Sequence, residues 1–281
     1  MASSDVILSY IERKGWQTEP ILNGWHARHP EQNADLLLSF TPSWICLQAP
    51  LAGLADVDQR DLLLRNEMMF MAKIAVAPGG APSLQVELPA ANGIHLIDYA
   101  LGALAQYRDP QANPLRERED RRSKELYFDE PPGIPHEILM TYIMAILPRG
   151  WGAKSKPKGI TWPLKYKGQR LFDVYLTVSR SWAYFHAPVL PEAGRADPSV
   201  QAAFFEYLLS VNQVLYMAKL GIGEHDQALL MLEVPTQELD FDMFRLVTRM
   251  LGTYLDLYAR EIQIMAHLHN DRRLMEKLGV C

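Results

Sequence analysis

Histidines with acidic neighbours are the residues whose types and spacing come closest to metal or acid–base chemistry. His136 opens the stretch HEILM, which begins like a zinc-binding HExxH helix, but Met140 stands where the second histidine would be. His26 and His29 have a metal-like spacing beside a tryptophan, without a third ligand that the sequence identifies. We therefore predict no metal, no cofactor and no catalytic residue, and a protein that is not an enzyme.

Two lysines follow a repeated stretch of sequence, and a lysine amine is a second kind of group that could act in catalysis. The chain reads LLRNEMMFMAK up to Lys73 and LLSVNQVLYMAK up to Lys219. Asn66 and Asn212 precede these lysines at the same spacing, although a helical Asn is disfavoured because its side chain competes for backbone hydrogen bonds. We predict that both Asn hold a helix-to-strand turn, and that both Lys are exposed or snorkelling rather than catalytic.

The phrase belongs to an internal repeat that covers most of the chain. Glu-Leu-Pro at 87–89 and Glu-Val-Pro at 233–235 follow the two lysines at the same spacing. Leu-Gly at 101–102 and at 251–252 extends the match, and the six tryptophans fall into three ordered pairs. The residues that we take as anchors of the repeat are Trp16, Trp44, Asn66, Trp182 and Asn212.

The amino-acid composition limits the classes of protein to which the chain can belong. The chain has 281 residues, 48% of them apolar, with a net charge of −5, which suits a globular protein and argues against nucleic acid as a partner. Two cysteines are too few for a disulfide framework and fit a reducing compartment. No apolar run approaches the roughly 18 residues that a membrane span needs. We expect a cytoplasmic protein without a membrane span.

The pattern of apolar residues predicts the same order of elements twice: a helix, three strands, a helix, two strands and a helix. Grouped antiparallel strands with separate helices indicate an α+β fold. We predict a tandem duplication that forms a pseudo-dimer, with copy one at 1–108, a charged linker at 109–135 and copy two at 136–281. Copy two ends in a long helix, which we expect to pack against copy one.

Several of these features together resemble the YbjN family of the type III secretion chaperone-like superfamily. They are the element order, the Gly-Trp after the first helix, the Trp-x-x-x-x-Ala-Pro strand, the Asn in the second helix and the strand that ends in Glu-Leu-Pro. The resemblance covers both copies. Single-domain members typically form homodimers, so it implies a dimer made in one chain, and the family supplies no catalytic residues to transfer.

The copies differ most in charge at Arg149–Arg170. This stretch has five lysines and two arginines and no acidic residue. It is either a surface for an acidic partner, RNA or another anion, or a strand edge that lysines protect from unwanted pairing. The candidate partner-binding residues are Trp151, Lys154, Lys156, Lys158, Trp162, Lys165, Tyr166, Lys167 and Arg170.

The leading functional prediction is a non-enzymatic protein-binding module, chaperone-like or a regulatory adaptor, that holds a partner protein. A methionine-rich and aromatic-rich composition suits irregular partner surfaces. One alternative is an anion- or RNA-binding regulatory protein that uses Arg149–Arg170. A second is a structural subunit of a larger assembly. We expect a monomer that acts as a pseudo-dimer, or a homodimer.

Overall fold

The computed structural model describes residues 4–51, 54, 57–77, 80–108, 133–190, 198–223 and 227–277. This part of the chain has an α+β fold with two six-stranded antiparallel sheets and six helices. The predicted fold class is confirmed. We call residues 4–108 the first half and residues 133–277 the second half; most of the predicted linker, 109–132, lies outside the described residues.

The first half builds one sheet with the strand order β1-β2-β3-β4-β6-β5. Its helices are α1 (Ser4–Arg13), α2 (Gln59–Met68) and α3 (Gly93–Tyr107). Its strands are β1 (Gln17–Ile21), β2 (Gly24–His29), β3 (Ala34–Phe40), β4 (Trp44–Pro50), β5 (Lys73–Val76) and β6 (Pro82–Pro89).

The second half repeats this topology, with the strand order β7-β8-β9-β10-β12-β11. Its helices are α4 (His136–Ile146), α5 (Pro198–Val211) and α6 (Phe241–Lys277), and short 3-10 turns cover Leu147–Arg149 and Thr236–Glu238. Its strands are β7 (Trp151–Ala153), β8 (Thr161–Lys167), β9 (Leu171–Val178), β10 (Trp182–Leu190), β11 (Ala218–Ile222) and β12 (Ala228–Pro235). The two halves are therefore structural copies.

Local sequence explains the elements. In β3 every second residue from Ala34 to Leu38 is buried, as a strand with one face on the core requires. The Asp58 carboxylate accepts the N–H of Arg60 at 2.8 Å and so caps the start of α2. The strands β6 and β12 are buried at every position, and the buried apolar side chains of both halves form one cluster. The halves thus share a core.

Each half has four strands before its second helix, where the sequence predicted three. The additional strands are the short edge pieces β1 and β7. In β1 no residue is fully buried, and β7 is only three residues long. Neither has the alternation of apolar and polar residues by which a strand is recognised, and this is why they were missed.

Helix α6 packs mainly on its own half, against β10, β12, α4 and α5. The main packing of this helix is therefore not against the first copy, as we had predicted, but within its own half. Its buried residues include Phe244, Leu251 and Ile262, which recur along one face of the helix. The role of this helix in docking to a larger assembly stays untested.

Helices α3 and α6 align differently from the Leu-Gly match in the sequence. The hydroxyl oxygen of Tyr107 accepts the N–H of Phe70 at 3.1 Å, and that of Tyr254 accepts the N–H of Tyr216 at 3.0 Å. Because Phe70 and Tyr216 are counterparts in the repeated phrase, Tyr107 and Tyr254 are counterparts as well. The true counterpart of Leu-Gly at 251–252 is therefore Leu-Ala at 104–105.

The two repeated asparagines join the edge strands β5 and β11. The Asn66 side chain accepts the N–H of Ile74 at 2.5 Å and donates to its carbonyl at 2.9 Å. It also donates to the carbonyl of Leu220 in the other half at 3.2 Å. Asn212 makes the mirrored set, with Leu220 in its own half and Ile74 across the interface. The predicted turn-holding role is confirmed, and each Asn also connects the halves.

The two repeated lysines are buried, each about 2% exposed, so the prediction that they are exposed or snorkelling is wrong. Lys73 pairs with Glu87 at 2.9 Å and donates to the carbonyls of Leu215 and Ala218 in the second half. Burial lowers the pKa of the Lys73 ammonium and raises the pKa of the Glu87 carboxyl, and the charge of each partner opposes the shift.

The second half makes the equivalent contacts to the first half. Lys219 pairs with Glu233 at 3.0 Å and donates to the carbonyls of Met69 and Ala72 in the first half. The Glu233 carboxylate in turn accepts the N–H of Met71, which has a left-handed φ of 65°. Such a φ is strained for a residue with a side chain, so this hydrogen bond from the other half holds the turn.

Aromatic stacking completes the contact between the halves. Trp44 stacks on Tyr216 with ring centroids 5.0 Å apart, and Trp182 stacks on Phe70 at 5.2 Å. Each pair joins a β-strand tryptophan to the aromatic residue that follows the second helix of the other half. Four of the five predicted repeat anchors therefore lie at the interface, and Trp16 lies in the core of its own half.

Replacing Lys219 with Met leaves the Glu233 carboxylate buried without its counter-ion. We expect the free energy of unfolding to fall by about 3–5 kcal/mol. The double variant Lys219→Met/Glu233→Gln should lose less, because it removes the uncompensated charge and keeps an acceptor for Met71. Urea unfolding in a double-mutant cycle measures this coupling. Additive losses from the two single variants would contradict a coupled pair.

Candidate functional site

The tryptophans of the predicted partner-binding stretch lie in the core. Trp151 is 5% exposed and Trp162 is 3% exposed. Trp162 contacts the ring of His136 edge-on at 5.2 Å, and Trp151 contacts Tyr166 at 4.9 Å. These two rings are therefore not available to a partner on the surface, which corrects the prediction for Trp151 and Trp162.

Two of the basic residues of Arg149–Arg170 are engaged within the chain. Lys154 pairs with Asp173 at 2.6 Å, and the guanidinium of Arg170 donates to Gln263 at 2.5 Å. The remaining lysines of the stretch are the half-buried Lys165 and the exposed Lys156, Lys158 and Lys167. The stretch forms β7, a tight turn and β8 at the outer edge of the second sheet. Anion or RNA binding by these lysines stays a prediction.

The first half contains a pocket of about 260 Å³ between α3 and the sheet. Its floor is apolar and comes from the buried side chains of Trp16, Ala34, Leu36 and Ala49. On α3, Leu104 is buried whereas Gly102 is exposed, so the pocket extends from the core to the outer surface of this helix.

Charged groups form the rim of the pocket. Lys14 pairs with Asp98 at 3.1 Å, and the Tyr10 hydroxyl donates to the same carboxylate at 2.8 Å. Arg108 also lines the pocket, and its guanidinium donates to the carbonyls of Gln32 and Asn33 at 3.0 and 3.2 Å. The entrance is thus polar and the interior apolar, which is the usual distribution in a binding pocket.

Strand register identifies the counterparts of the pocket residues in the second half. Trp25 lies opposite Leu38 in the first sheet, as Trp162 lies opposite Leu176 in the second. In the same register, His29 lies opposite Ala34, and Tyr166 lies opposite Phe172. Tyr166 is therefore the counterpart of His29, and Phe172 is the counterpart of Ala34.

The larger side chains occupy this position in the second half. The Tyr166 ring lies 4.9 Å from Trp151 and 6.3 Å from Phe172, and its hydroxyl donates to Asp256 at 2.7 Å. Burial and this hydrogen bond raise the pKa of Tyr166 to about 12, so the phenol keeps its proton. A methyl group on Gly252 would lie 2.8 Å from the Tyr166 ring. In the second half the Tyr166 ring therefore fills this space between α6 and the sheet.

In the first half the corresponding space is open. The His29 ring lies edge-on to Trp16 at 5.2 Å, and its Nδ1 accepts the N–H of Gln32 at 3.3 Å. Ala34 provides only a methyl group where the second half has a phenyl ring. On α3 the position that corresponds to Gly252 is Ala105, which is exposed. The first half therefore has a pocket at the position where Phe172 and Tyr166 pack in the second half.

The histidine spacing does not build a metal site. His26 lies with its ring nitrogens 3.0 Å from Glu19 and 3.2 Å from Asp35, whereas His29 is buried against Trp16. Among the described residues no group of three or more His, Cys, Asp or Glu is placed to hold a metal ion. In the same part of the chain, no helix has the length and apolar character that crossing a membrane requires.

The sequence reasoning missed this pocket because it compared the copies by shared motifs. The informative differences between the copies are His29 against Tyr166 and Ala34 against Phe172. These residues can be recognised as counterparts only from the strand register. Comparison with known proteins adds no assignment, since no protein-family model and no curated protein matches the chain. The resemblance to the YbjN family therefore stays a prediction.

Adding one methyl group to each of two helical glycines distinguishes an exposed position on α3 from a packed position on α6. Gly102→Ala should raise the free energy of unfolding by about 0.5–1 kcal/mol, because Ala favours a helix and the space is free. Gly252→Ala should lower it by about 1–3 kcal/mol, since Asp256 holds the Tyr166 ring in the way. Urea unfolding checks both values, and a stabilising effect of Gly252→Ala would contradict the packing of the Tyr166 ring against α6.

The exposed lysines can be tested separately from the pocket. The triple variant Lys156→Gln/Lys158→Gln/Lys167→Gln should unfold at the same urea concentration, because exposed charges contribute little to stability. Affinity for an RNA oligomer is then measured against salt concentration in both proteins. A flatter salt slope in the variant would favour the anion-binding alternative, and identical slopes would reject it.

Proposed function

We propose that the protein is a non-enzymatic protein-binding module, chaperone-like or a regulatory adaptor, that holds a partner protein through the pocket of its first half. One observation carries the proposal. Two copies of one fold share their interface residues, yet the copy with Ala34 and His29 keeps an apolar pocket that the other copy fills with Phe172 and Tyr166. We take this pocket, at a position that the other copy fills, as the place where the partner enters.

The size of the pocket favours a partner side chain over a large cofactor. Pockets for drug-sized ligands measure roughly 300–1,000 Å³, and this one measures about 260 Å³. Its outer wall includes Gly102 and Ala105, both exposed on α3, so a polypeptide lying along this helix reaches the pocket with one side chain. Anchoring by one buried side chain in a pocket is a common mode of protein recognition.

The joined halves support the same function. A pseudo-dimer with a common core provides a rigid platform, and rigid platforms lose less entropy when they bind. The resemblance to the YbjN family and its chaperone-like superfamily, whose single-domain members typically form homodimers, points in the same direction. We propose that the chain acts as a monomer, and that it works in the cytoplasm, where its two cysteines stay reduced.

Site-specific cross-linking in the source cell tests this function. A photo-activated benzoylphenylalanine replaces Ala105, which is exposed at the lip of the pocket. We expect discrete cross-linked partners whose yield falls at least about tenfold when Ala34→Phe fills the pocket, the loss that about 1.4 kcal/mol of binding energy produces. Mass spectrometry identifies the partners and measures the yield.

The matched control changes the opposite face of the same strand. Leu37 is 42% exposed and is the counterpart of Tyr175, so Leu37→Tyr also copies a residue of the second half, but outside the pocket. Cross-linking should be unchanged in this variant. Cross-linking that persists in Ala34→Phe at the level of Leu37→Tyr would refute partner binding through the pocket.

A further inference from the structure

Helix α4 and its counterpart α1 differ on the side that faces away from the core. A Gly-Trp pair follows both helices, and it aligns their residues. In this alignment Leu8 and Ile11 of α1 match Ile143 and Ile146 of α4, and all four are buried. The inner sides of the two helices therefore pack in the same way, and packing does not require their outer sides to differ.

The outer side of α4 and of the turn that follows it carries a row of apolar residues. Met140 is 39% exposed, Met144 is 57% exposed and Leu147 is 37% exposed. Their spacing of four and then three residues places them in one stripe along the helix. Their counterparts in α1 are polar and also exposed, namely Asp5, Ser9 and Glu12. We call the three apolar residues the α4 stripe.

We propose that the α4 stripe binds an amphipathic α-helix of a partner protein, which packs antiparallel to α4 and has acidic residues in its first turn. The stripe lies in the second half and the pocket lies in the first, so this inference goes beyond the function proposed above. Side chains with the spacing of the stripe form a ridge that fits between the side chains of a second helix. Methionine adapts its shape to such neighbours, and it is frequent on surfaces that bind partner helices.

Charges at the two ends of the α4 stripe define the orientation of the partner helix. Glu137 is exposed in the first turn of α4, and Arg149 is exposed in the 3-10 turn that follows the helix. The exposed Lys167 lies beside this turn, because its N–H donates to the carbonyl of Gly150 at 2.7 Å. Helices favour acidic residues in their first turn and basic residues in their last turn. An antiparallel partner helix therefore brings its acidic end to Arg149 and Lys167 and its basic end to Glu137.

An anionic lipid surface matches the α4 stripe less well. Helices that lie in a membrane interface typically combine lysine and arginine on their polar side with tryptophan, phenylalanine or leucine on their apolar side. α4 has no lysine or arginine, and two of the three stripe residues are methionine. Anionic headgroups would also repel Glu137, which is exposed at the start of the helix. A polypeptide with opposite charges at its ends complements the stripe better than a uniformly negative surface.

Fluorescence anisotropy on the full chain tests the helix partner. The probe is a labelled synthetic peptide of about four helical turns, with leucine along one side, glutamate in its first turn and lysine in its last turn. The stripe variant Met140→Asp/Met144→Ser/Leu147→Glu gives α4 the residues of α1, and we expect it to bind the peptide at least about tenfold more weakly. The charge variant Arg149→Gln/Lys167→Gln should bind about two- to tenfold more weakly, which is the loss expected for two exposed ion pairs.

A matched control changes an exposed apolar residue of the other helix. Val6 on α1 is 47% exposed, and Val6→Asp should leave peptide binding unchanged. Urea unfolding shows whether each variant is folded, and the charge variant decides the test if the stripe variant is not. Absence of peptide binding by the wild type, or equal binding by the wild type and the folded variants, would overturn the proposal.

Two further measurements detect other occupants of the α4 stripe. Sedimentation with vesicles of phosphatidylcholine and phosphatidylserine detects lipid binding, and light scattering of the chain alone detects a second copy. A signal in either measurement that the stripe variant abolishes, without peptide binding, would assign the stripe to that occupant and overturn the helix partner. Ala34→Phe fills the pocket and should not change peptide binding, so failure of this inference and failure of the proposed function are distinguishable.

Discussion

A reciprocal set of buried hydrogen bonds and ion pairs between the halves is the interaction on which the rest of the structure depends. Lys73 and Lys219 each bind a carboxylate of their own half and carbonyl groups of the other. Buried pairs of this kind add little net stability, because both charges lose their hydration. They penalise any arrangement that leaves one of them without its partner, so we interpret the set as fixing how the halves meet.

The edge strands explain why this set has asparagines at its centre. β5 and β11 end their sheets at the interface, where free backbone groups would be buried. Asn66 and Asn212 satisfy these groups and bridge to the other strand. Ion pairs, amides and stacked rings all follow one pseudo-twofold pattern. Once these contacts fix how the halves meet, residues away from the interface can differ between the halves without loss of the fold.

Sequence reasoning predicted the duplication, the α+β class and the role of the asparagines, because motif spacing and periodicity are local signals. It failed for Lys73 and Lys219, because a lone lysine on a strand is usually solvated and its neutralising contacts come from the other half. The signal was present, since Glu87 and Glu233 repeat at the same spacing as the lysines. The pocket needed strand register, which no single stretch of sequence contains.

Joining two copies in one chain changes how many ligands a molecule can hold. In a homodimer both subunits have one sequence, so a pocket in one is a pocket in both, and each dimer can bridge two ligands. Here Phe172 and Tyr166 fill one position, and Ala34 leaves a pocket at the other. Under the proposed function, a monomer of the fused chain would therefore hold one ligand at this site and would not cross-link ligands into larger aggregates through it.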